Sequence, residues 1–213
     1  MLLRLMGGVA LPAGELARAA NVAPQTASGH LARMVEGRVL NMECQGRHRY
    51  YRLASEEVGD AIEALLRLTI RTPDIKGSVA PRKATAGTLA HARTCYSHLA
   101  GWLGVAIAEA MERRGILLAA DAKTYAITTA GRGWFESTLS IQAASPQDRQ
   151  RDIARRCLDW TERRHHLSGV IGRAMYKRFL ELNWLAPVRG TRAVRVTVEG
   201  KKQFWDLLRL PLG

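Results

Sequence analysis

The stretch "LPAGELARAANVAPQTASGHLARMV", residues 11–35, predicts two short helices joined by a tight connector. On the first helix, Leu16 and Ala20 share one face at i, i+4 spacing. Pro24 suits the first turn of the second helix, because the N–H that proline lacks would be unpaired there in any case. Alanines at the crossing point let the two helices approach closely, and the whole spacing predicts a helix-turn-helix.

The polar side of the second predicted helix carries short hydrogen-bonding side chains in its N-terminal half. Side chains of this kind can approach the edges of base pairs in a DNA major groove. A helical hairpin with a merely solvated polar face would show the same pattern. If the helix contacts DNA, the predicted contact residues are Gln25, Thr26, Ser28, His30 and Arg33.

The next segment, "VLNMECQGRHRYYRL" at residues 39–53, alternates as two strands around a turn at Gln45 and Gly46. The tip and the returning strand are rich in basic side chains. Beside a recognition helix, such a wing contacts phosphates or the minor groove, where arginines act without reading the sequence in detail. The combination predicts a winged helix, with wing contacts from Arg47, His48, Arg49 and Arg52.

Residues 11–54, which lie within the first third of the chain and reach the end of this wing, resemble the winged-helix domain of the ArsR/SmtB family of bacterial repressors. The resemblance implies a homodimer that binds a palindromic operator and leaves it when an inducer binds; the rest would be a C-terminal extension. Family members have a further N-terminal helix, so the first helix is expected to be truncated here. The family's metal signatures are missing, because no paired cysteines flank the recognition helix and the helix after the wing has no histidines.

The composition limits the class of protein. The 213 residues include 32 Lys and Arg against 19 Asp and Glu, a net charge of +13. This excess suggests a polyanionic partner such as double-stranded DNA, although a basic but inert protein would look the same. Three scattered cysteines suggest a reducing compartment, and the apolar start is broken by Arg4, a glycine pair and Pro12. We therefore expect a cytoplasmic protein with neither a secretory signal nor a membrane span.

The rest of the chain contains an internal repeat. Residues 98–117 and 166–185 align without gaps and share six identities, and each copy precedes a short predicted strand pair. Chance similarity between amphipathic helices is the alternative. We predict a mainly α fold with small β-wings: a winged helix-turn-helix at 1–70, a linker at 71–87, and at 88–213 a domain of two winged-helix-like repeats that carries the effector site.

A row of possible ligands follows the predicted linker. At i, i+4 and i+7, His91, Cys95 and His98 would share one face of a helix, and Trp102 continues that face. Two imidazoles and a thiol suit a thiophilic or transition metal such as zinc or copper, with one ligand missing for a closed tetrahedral site. The same row could be a thiol-based or small-molecule sensing site, or ordinary packing.

The second copy of the repeat provides evidence for and against a metal site at this row of ligands. Cys157 or His165 could supply the missing ligand, and Cys157 is also a candidate redox residue. In the ungapped alignment, the second copy keeps a histidine at His166 but has Arg163 where the first copy has Cys95. This pattern favours an architectural histidine and counts against a metal.

The sequence contains no familiar enzyme motif: no glycine-rich phosphate loop, no GxSxG elbow, no paired CxxC and no HExxH. We therefore predict a sequence-specific DNA-binding transcriptional regulator, a repressor that an effector releases from its operator. One alternative is an enzyme or small-molecule-modifying domain fused to a DNA-binding head. Another is an architectural DNA binder without a sensor, whose affinity would be uniform across sequences and fall steeply with salt.

Overall fold

The computed structural model describes residues 1–6, 8–46, 48–69, 88–142 and 153–212. The chain divides into two compact units, Met1–Arg71 and Thr72–Gly213. The predicted linker at 71–87 lies outside the described residues. Among the described residues, no helix combines the length and the apolar character that a membrane crossing needs.

The first unit combines helices with one antiparallel sheet, in which β3 lies between β1 and β2. Paired positions run from Leu40 with Leu53 to Gln45 with His48 across the long hairpin. The elements are α1 (Leu2–Leu5), β1 (Leu11–Pro12), α2 (Ala13–Ala20), α3 (Pro24–Glu36), β2 (Leu40–Gln45), β3 (His48–Leu53) and α4 (Glu56–Thr69).

Helices α2 and α3 form where the sequence predicts them. Helix α2 ends because Asn21 adopts the left-handed conformation, with φ at 52°, which asparagine tolerates better than most residues. Pro24 then occupies the first turn of α3. Leu16, Ala27 and Leu31 are fully buried, so the thin apolar side of each helix faces the core. Together with the β2–β3 wing, this arrangement confirms the predicted winged helix.

The second unit repeats one sequence of elements twice: hairpin, helix, hairpin, helix. Each hairpin is a two-stranded antiparallel sheet. The result confirms the internal duplication and the predicted mixture of helices with small sheets. The first repeat contains β4 (Arg93–Cys95), β5 (His98–Ala100), α5 (Gly101–Arg113), β6 (Leu117–Ala119), β7 (Tyr125–Ile127) and α6 (Thr129–Leu139). The second contains β8 (Arg155–Leu158), β9 (His165–Ser168), α7 (Gly169–Glu181), β10 (Leu185–Pro187), β11 (Val194–Val196) and α8 (Val198–Leu208).

The two repeats are interlocked rather than merely adjacent. Arg93 in the first hairpin of one repeat forms a β-bridge with Ala193 in the other, and Arg155 forms the equivalent bridge with Thr124. Helix α5 packs on β9, and α7 packs reciprocally on β5. A single hydrophobic core therefore contains residues of both repeats, among them Leu103, Phe135, Ile171, Met175 and Phe204.

The predicted helix through residues 91–102 is wrong, because this segment is the hairpin β4–β5 and the helix begins only at Gly101. Both strands are buried at every position, so they lack the alternation that marks a half-buried strand, and periodicity cannot distinguish them from a buried helix. Gly101 makes the change of direction with φ at +81°, and a Cβ there would lie 2.9 Å from the Ala90 carbonyl oxygen. A side chain at this corner would clash with the backbone.

Candidate functional site

The outward side of α3 is open to solvent. The fully buried side chains of this helix are those of Ala27 and Leu31, so its polar residues point away from the core. Exposure permits DNA contact, and the contact itself stays a prediction. All five predicted helix contacts are exposed: Gln25, Thr26, Ser28, His30 and Arg33.

The wing offers basic side chains to solvent along β3. Tyr51 is buried where the strand meets the core, whereas His48, Arg49 and Arg52 are exposed. Arg47, the fourth predicted wing contact, lies outside the described residues. Exposure permits these cations to contact phosphates, and that contact stays a prediction.

The second unit brings two cysteines and two histidines together, one pair from each first hairpin. Cys95 pairs with His98 across β4–β5, and Cys157 pairs with His166 across β8–β9. Their four possible ligand atoms all lie within 4.8 Å of one another. Cys95, His98 and His166 are buried and Cys157 is partly buried. We call these four residues the Cys2His2 cluster.

The interlocking of the repeats positions the two histidines of this cluster. The Nε2 atoms of His98 and His166 face each other at 3.0 Å. A Cβ at Gly104 on α5 would lie 3.5 Å from Cβ of His166, and one at Gly172 on α7 would lie 3.5 Å from Cβ of His98. Each helix therefore supports the histidine of the other repeat through a glycine that allows close approach.

Asp159 orients one of these histidines. Its carboxylate oxygen Oδ2 lies 3.3 Å from Nδ1 of His166, and both side chains are almost fully buried. The same oxygen accepts a hydrogen bond of 2.7 Å from the backbone N–H of Gly101 at the start of α5, where the helix dipole favours a negative charge. Thr161 donates to Oδ1 from its backbone N–H at 2.9 Å. The carboxylate is thus held rigidly, and it directs Nε2 of His166 into the cluster.

Asp159 also forms a fully buried ion pair with Arg93. The guanidinium Nη2 lies 3.0 and 2.9 Å from the two carboxylate oxygens, and neither side chain is exposed. The guanidinium carbon of Arg93 also lies 4.7 Å from the ring centroid of Trp160. Since Arg93 belongs to the first repeat and Asp159 to the second, this ion pair joins the two repeats beside the Cys2His2 cluster.

The electrostatics of the cluster favour a thiolate. Burial alone would raise the pKa of the Asp159 carboxyl, but the close approach of His166 and the charge of Arg93 outweigh it and hold that pKa well below its usual range. Burial opposes protonation of His166, yet Cys157 and Asp159 raise its pKa to about 9. The hydrogen bond from Cys95 and the charge of His166 outweigh desolvation and lower the pKa of Cys157. A thiolate is the form of cysteine that binds metals and reacts as a nucleophile.

Comparison with known proteins identifies the family. Over 204 residues, covering 96% of this chain and 88% of the relative, the chain is 42% identical to a Bacillus subtilis (strain 168) protein named "Uncharacterized HTH-type transcriptional regulator YdfF". The chain belongs to the HTH-type transcriptional regulators. No protein-family model matches the chain. Among solved structures, reduced HlyU from Vibrio cholerae N16961 is similar over 32% of this chain and 73% of that chain, at 29% identity and a TM-score of 0.29.

In this regulator, the predicted row of ligands separates into two groups. Cys95 and His98 join the cluster, and Cys157 joins them as one of the two predicted completing residues. His91 and Trp102 lie elsewhere, since their rings stack on each other with centroids 5.3 Å apart. They do not share a helix face with Cys95 and His98, because the segment is a hairpin in which Cys95 and His98 meet as cross-strand partners.

The fourth member of the cluster is His166, and the ungapped alignment mispaired the cysteine that faces it. His165 lies outside the cluster and its Nδ1 is 3.2 Å from Arg156, whereas His166 is a member. The true counterpart of Cys95 is Cys157 and not Arg163, because Cys157 and Cys95 occupy the same register position opposite the histidine. A gap placed in the hairpin turn would have revealed this from the sequence.

Proposed function

We propose that the protein is a sequence-specific DNA-binding transcriptional regulator, and specifically a repressor of the ArsR/SmtB type that an effector releases from its operator. The observation that carries the proposal is the exposed polar side of α3, set in a helix-turn-helix and followed by a basic wing. The name of the Bacillus subtilis relative supports the same assignment.

The two parts of this surface would have different tasks. Gln25 and Ser28 on α3 have short polar side chains that can hydrogen-bond to base edges in the major groove, where base pairs are distinguishable. Arg49 and Arg52 on the wing would neutralise phosphates, which adds affinity for any sequence and makes binding sensitive to salt. The net charge of +13 supports the second task.

We further propose that the regulator binds its operator as a homodimer. Two apolar side chains in the first unit support a partner surface, since Leu3 on α1 is 47% exposed and Leu65 on α4 is 61% exposed. A second copy of the chain is the occupant that a palindromic operator requires, because operator symmetry mirrors protein symmetry. The mass of the protein in solution, measured by light scattering, tests this part.

The proposal assigns the effector to the second unit, whose buried Cys2His2 cluster offers reactive and metal-binding groups. Two cysteines and two histidines would fill all four positions of a tetrahedral metal site. This favours binding or sensing over catalysis, because catalytic metal sites keep one position open for water or substrate. This assignment favours a regulator over an enzyme fused to a DNA-binding head.

The test begins with selection of bound DNA from a random library by the purified full chain. Binding of the selected operator and of scrambled DNA is then measured by fluorescence anisotropy at several salt concentrations. Gln25→Ala and Ser28→Ala should each weaken operator binding but not scrambled binding, at a cost of about 1–3 kcal/mol for a lost base contact. Arg49→Ala should weaken both alike and reduce the salt slope by about 1.

Arg195→Ala is the matched control, because Arg195 is an exposed arginine on a hairpin strand of the second unit. It should leave both affinities unchanged. If Gln25→Ala and Ser28→Ala both retain full discrimination between operator and scrambled DNA, α3 is not the recognition helix. A uniform affinity of the unaltered protein for all sequences would instead support the architectural DNA binder.

A further inference from the structure

The Cys2His2 cluster has the donor chemistry of a closed metal site. Thiolate and imidazole together suit zinc(II), and a tetrahedral set of two sulfurs and two nitrogens is typical of zinc or of an iron–sulfur centre. The four donors come as two equivalent Cys/His pairs, one from each repeat. A duplicated pair of ligands that meets at the interface between repeats is a built arrangement rather than a chance neighbourhood.

The distances fit one ion. Around a tetrahedral zinc ion with bonds of about 2.3 Å to sulfur and 2.0–2.1 Å to nitrogen, neighbouring ligand atoms lie roughly 3.3–3.8 Å apart. The donor atoms of the cluster lie within 4.8 Å of one another, and the two Nε2 atoms are 3.0 Å apart. Shifts of about an ångström or less would bring all four to bonding distance.

The orientation of His166 supplies an independent observation. Metal-binding histidines commonly donate their other ring N–H to a carboxylate, which fixes the tautomer and the ring orientation. Nδ1 of His166 lies 3.3 Å from the buried carboxylate of Asp159, and its Nε2 points at the cluster. The carboxylate–histidine pair is therefore already in place on the side away from the four donor atoms.

We propose that the Cys2His2 cluster binds one zinc(II) ion per chain as a closed, tetrahedral, four-ligand site that joins the two repeats. With all four positions supplied by protein, the ion would have no open position for substrate. Because each repeat provides half of the ligands, binding would stabilise the repeat interface, as metal binding coupled to folding does elsewhere. The inference rests on the proposed function only in naming a ligand for the cluster to which the effector is assigned. Because its test uses no DNA, its failure would leave the assignment of α3 and the wing as the DNA-binding surface untouched.

The test uses the full chain after treatment with a chelator and a reductant, titrated with cobalt(II) as a spectroscopic probe for zinc. We expect one equivalent of cobalt to produce the visible bands of tetrahedral cobalt and a thiolate-to-cobalt charge-transfer band. One equivalent of zinc should then abolish both. X-ray absorption of the zinc-loaded protein should show two sulfur and two nitrogen ligands, and this measurement needs no variant.

The variants separate the cluster from the remaining thiol. Cys95→Ser with Cys157→Ser should lose the charge-transfer band completely, and His166→Gln should lose the tetrahedral bands. Cys44→Ser is the matched control, because Cys44 is the exposed third cysteine, and it should bind cobalt like the unaltered chain. Circular dichroism of each metal-free variant checks that it folds.

Several results would overturn the proposal. Cobalt spectra typical of octahedral coordination would do so, as would a zinc environment without sulfur. Retention of the charge-transfer band in the folded double serine variant would place the metal elsewhere. A reduced protein that binds no metal, but forms a Cys95–Cys157 disulfide on mild oxidation, would make the cluster a redox site instead.

Discussion

The first hairpins of the two repeats carry equivalent ligands but differ in the length of their turns. Two residues separate Cys95 from His98, whereas eight separate Cys157 from His166. The strand pairs up to the ligands have the same register in both hairpins, and the second hairpin adds the pair Leu158–His165. The additional residues therefore lie beyond the ligands, where they leave the position of the ligands unchanged.

The longer turn of the second hairpin supplies a buried carboxylate, which the shorter turn of the first hairpin lacks. Asp159 belongs to it, and this carboxylate both contacts His166 and pairs with Arg93. Arg155 occupies in the second hairpin the register position that Arg93 occupies in the first, yet Arg93 is fully buried while Arg155 is partly exposed. The two repeats thus share an equivalent set of ligands, whereas the longer second turn makes the surroundings of that set asymmetric. Substitutions at equivalent positions of the two repeats should therefore change stability equally. Substitutions at positions that depend on the longer turn should not.

The largest effect is expected where the repeats differ. Asp159→Asn should lower the free energy of unfolding by about 3–5 kcal/mol, because it leaves the buried guanidinium of Arg93 without its counter-charge. Chemical denaturation of the metal-free protein measures this. Asp206→Asn, at an exposed position on α8, is the control and should change little. A cost for Asp159→Asn as small as that of the control would remove Asp159 from its central place in the interface.

An intermediate and equal effect is expected at two equivalent glycines. A Cβ at Gly104 would lie 2.6 Å from the carbonyl oxygen of Leu99, and one at Gly172 would lie 2.5 Å from that of Leu167. Either glycine-to-alanine substitution should therefore destabilise the protein by about 1–3 kcal/mol through overpacking.

The control for these glycines lies within the same unit. Gly133 on α6 has no atom within 4 Å of its would-be Cβ, so Gly133→Ala should stabilise the helix by about 0.5–1 kcal/mol. Thermal unfolding of the three variants distinguishes the cases. If only one of Gly104 and Gly172 proves sensitive, the reciprocal packing of the repeats is not equivalent in energy.

The smallest effect is expected at the helix caps. Thr128 accepts a hydrogen bond from the N–H of Gly131 at 2.8 Å, and Thr197 accepts one from Gly200 at 2.9 Å. Thr128→Ala and Thr197→Ala should each cost about 1 kcal/mol, because each removes the same N-terminal cap. Urea denaturation should show nearly equal losses, with Thr129→Ala, one residue further on, as the control. Unequal losses would show that the symmetry of the second helices is only geometric.

The winged helix was predictable because its signals are local. Helix α2 and helix α3 show their apolar sides in the spacing of Leu16, Ala27 and Leu31, and Pro24 marks the start of α3. The β2–β3 hairpin shows its turn at Gly46, whose φ is +59°. Each of these signals depends on residues a few positions apart, so backbone preferences and side-chain periodicity are sufficient to reveal it.

The Cys2His2 cluster was only partly predictable because its members are distant in sequence. The residue types of Cys95 and His98 mark them as candidate ligands, but the sequence predicts them as neighbours on a helix rather than as partners across a strand pair. Burial on both faces removed the alternation that would have indicated β4 and β5. The match between Cys95 and Cys157 was hidden by the six-residue turn from Asp159 to Arg164, since an ungapped comparison cannot allow for it.

Short-range patterns and composition are enough to specify the helix-turn-helix, the wing, the basic charge and the presence of a duplicated second unit. Which residues meet depends instead on long-range packing. The pairing of each first hairpin with the opposite repeat brings Nε2 of His98 to 3.0 Å from that of His166, 68 positions away in the chain. Contacts of this range depend on how buried surfaces fit together, and no local pattern specifies that fit.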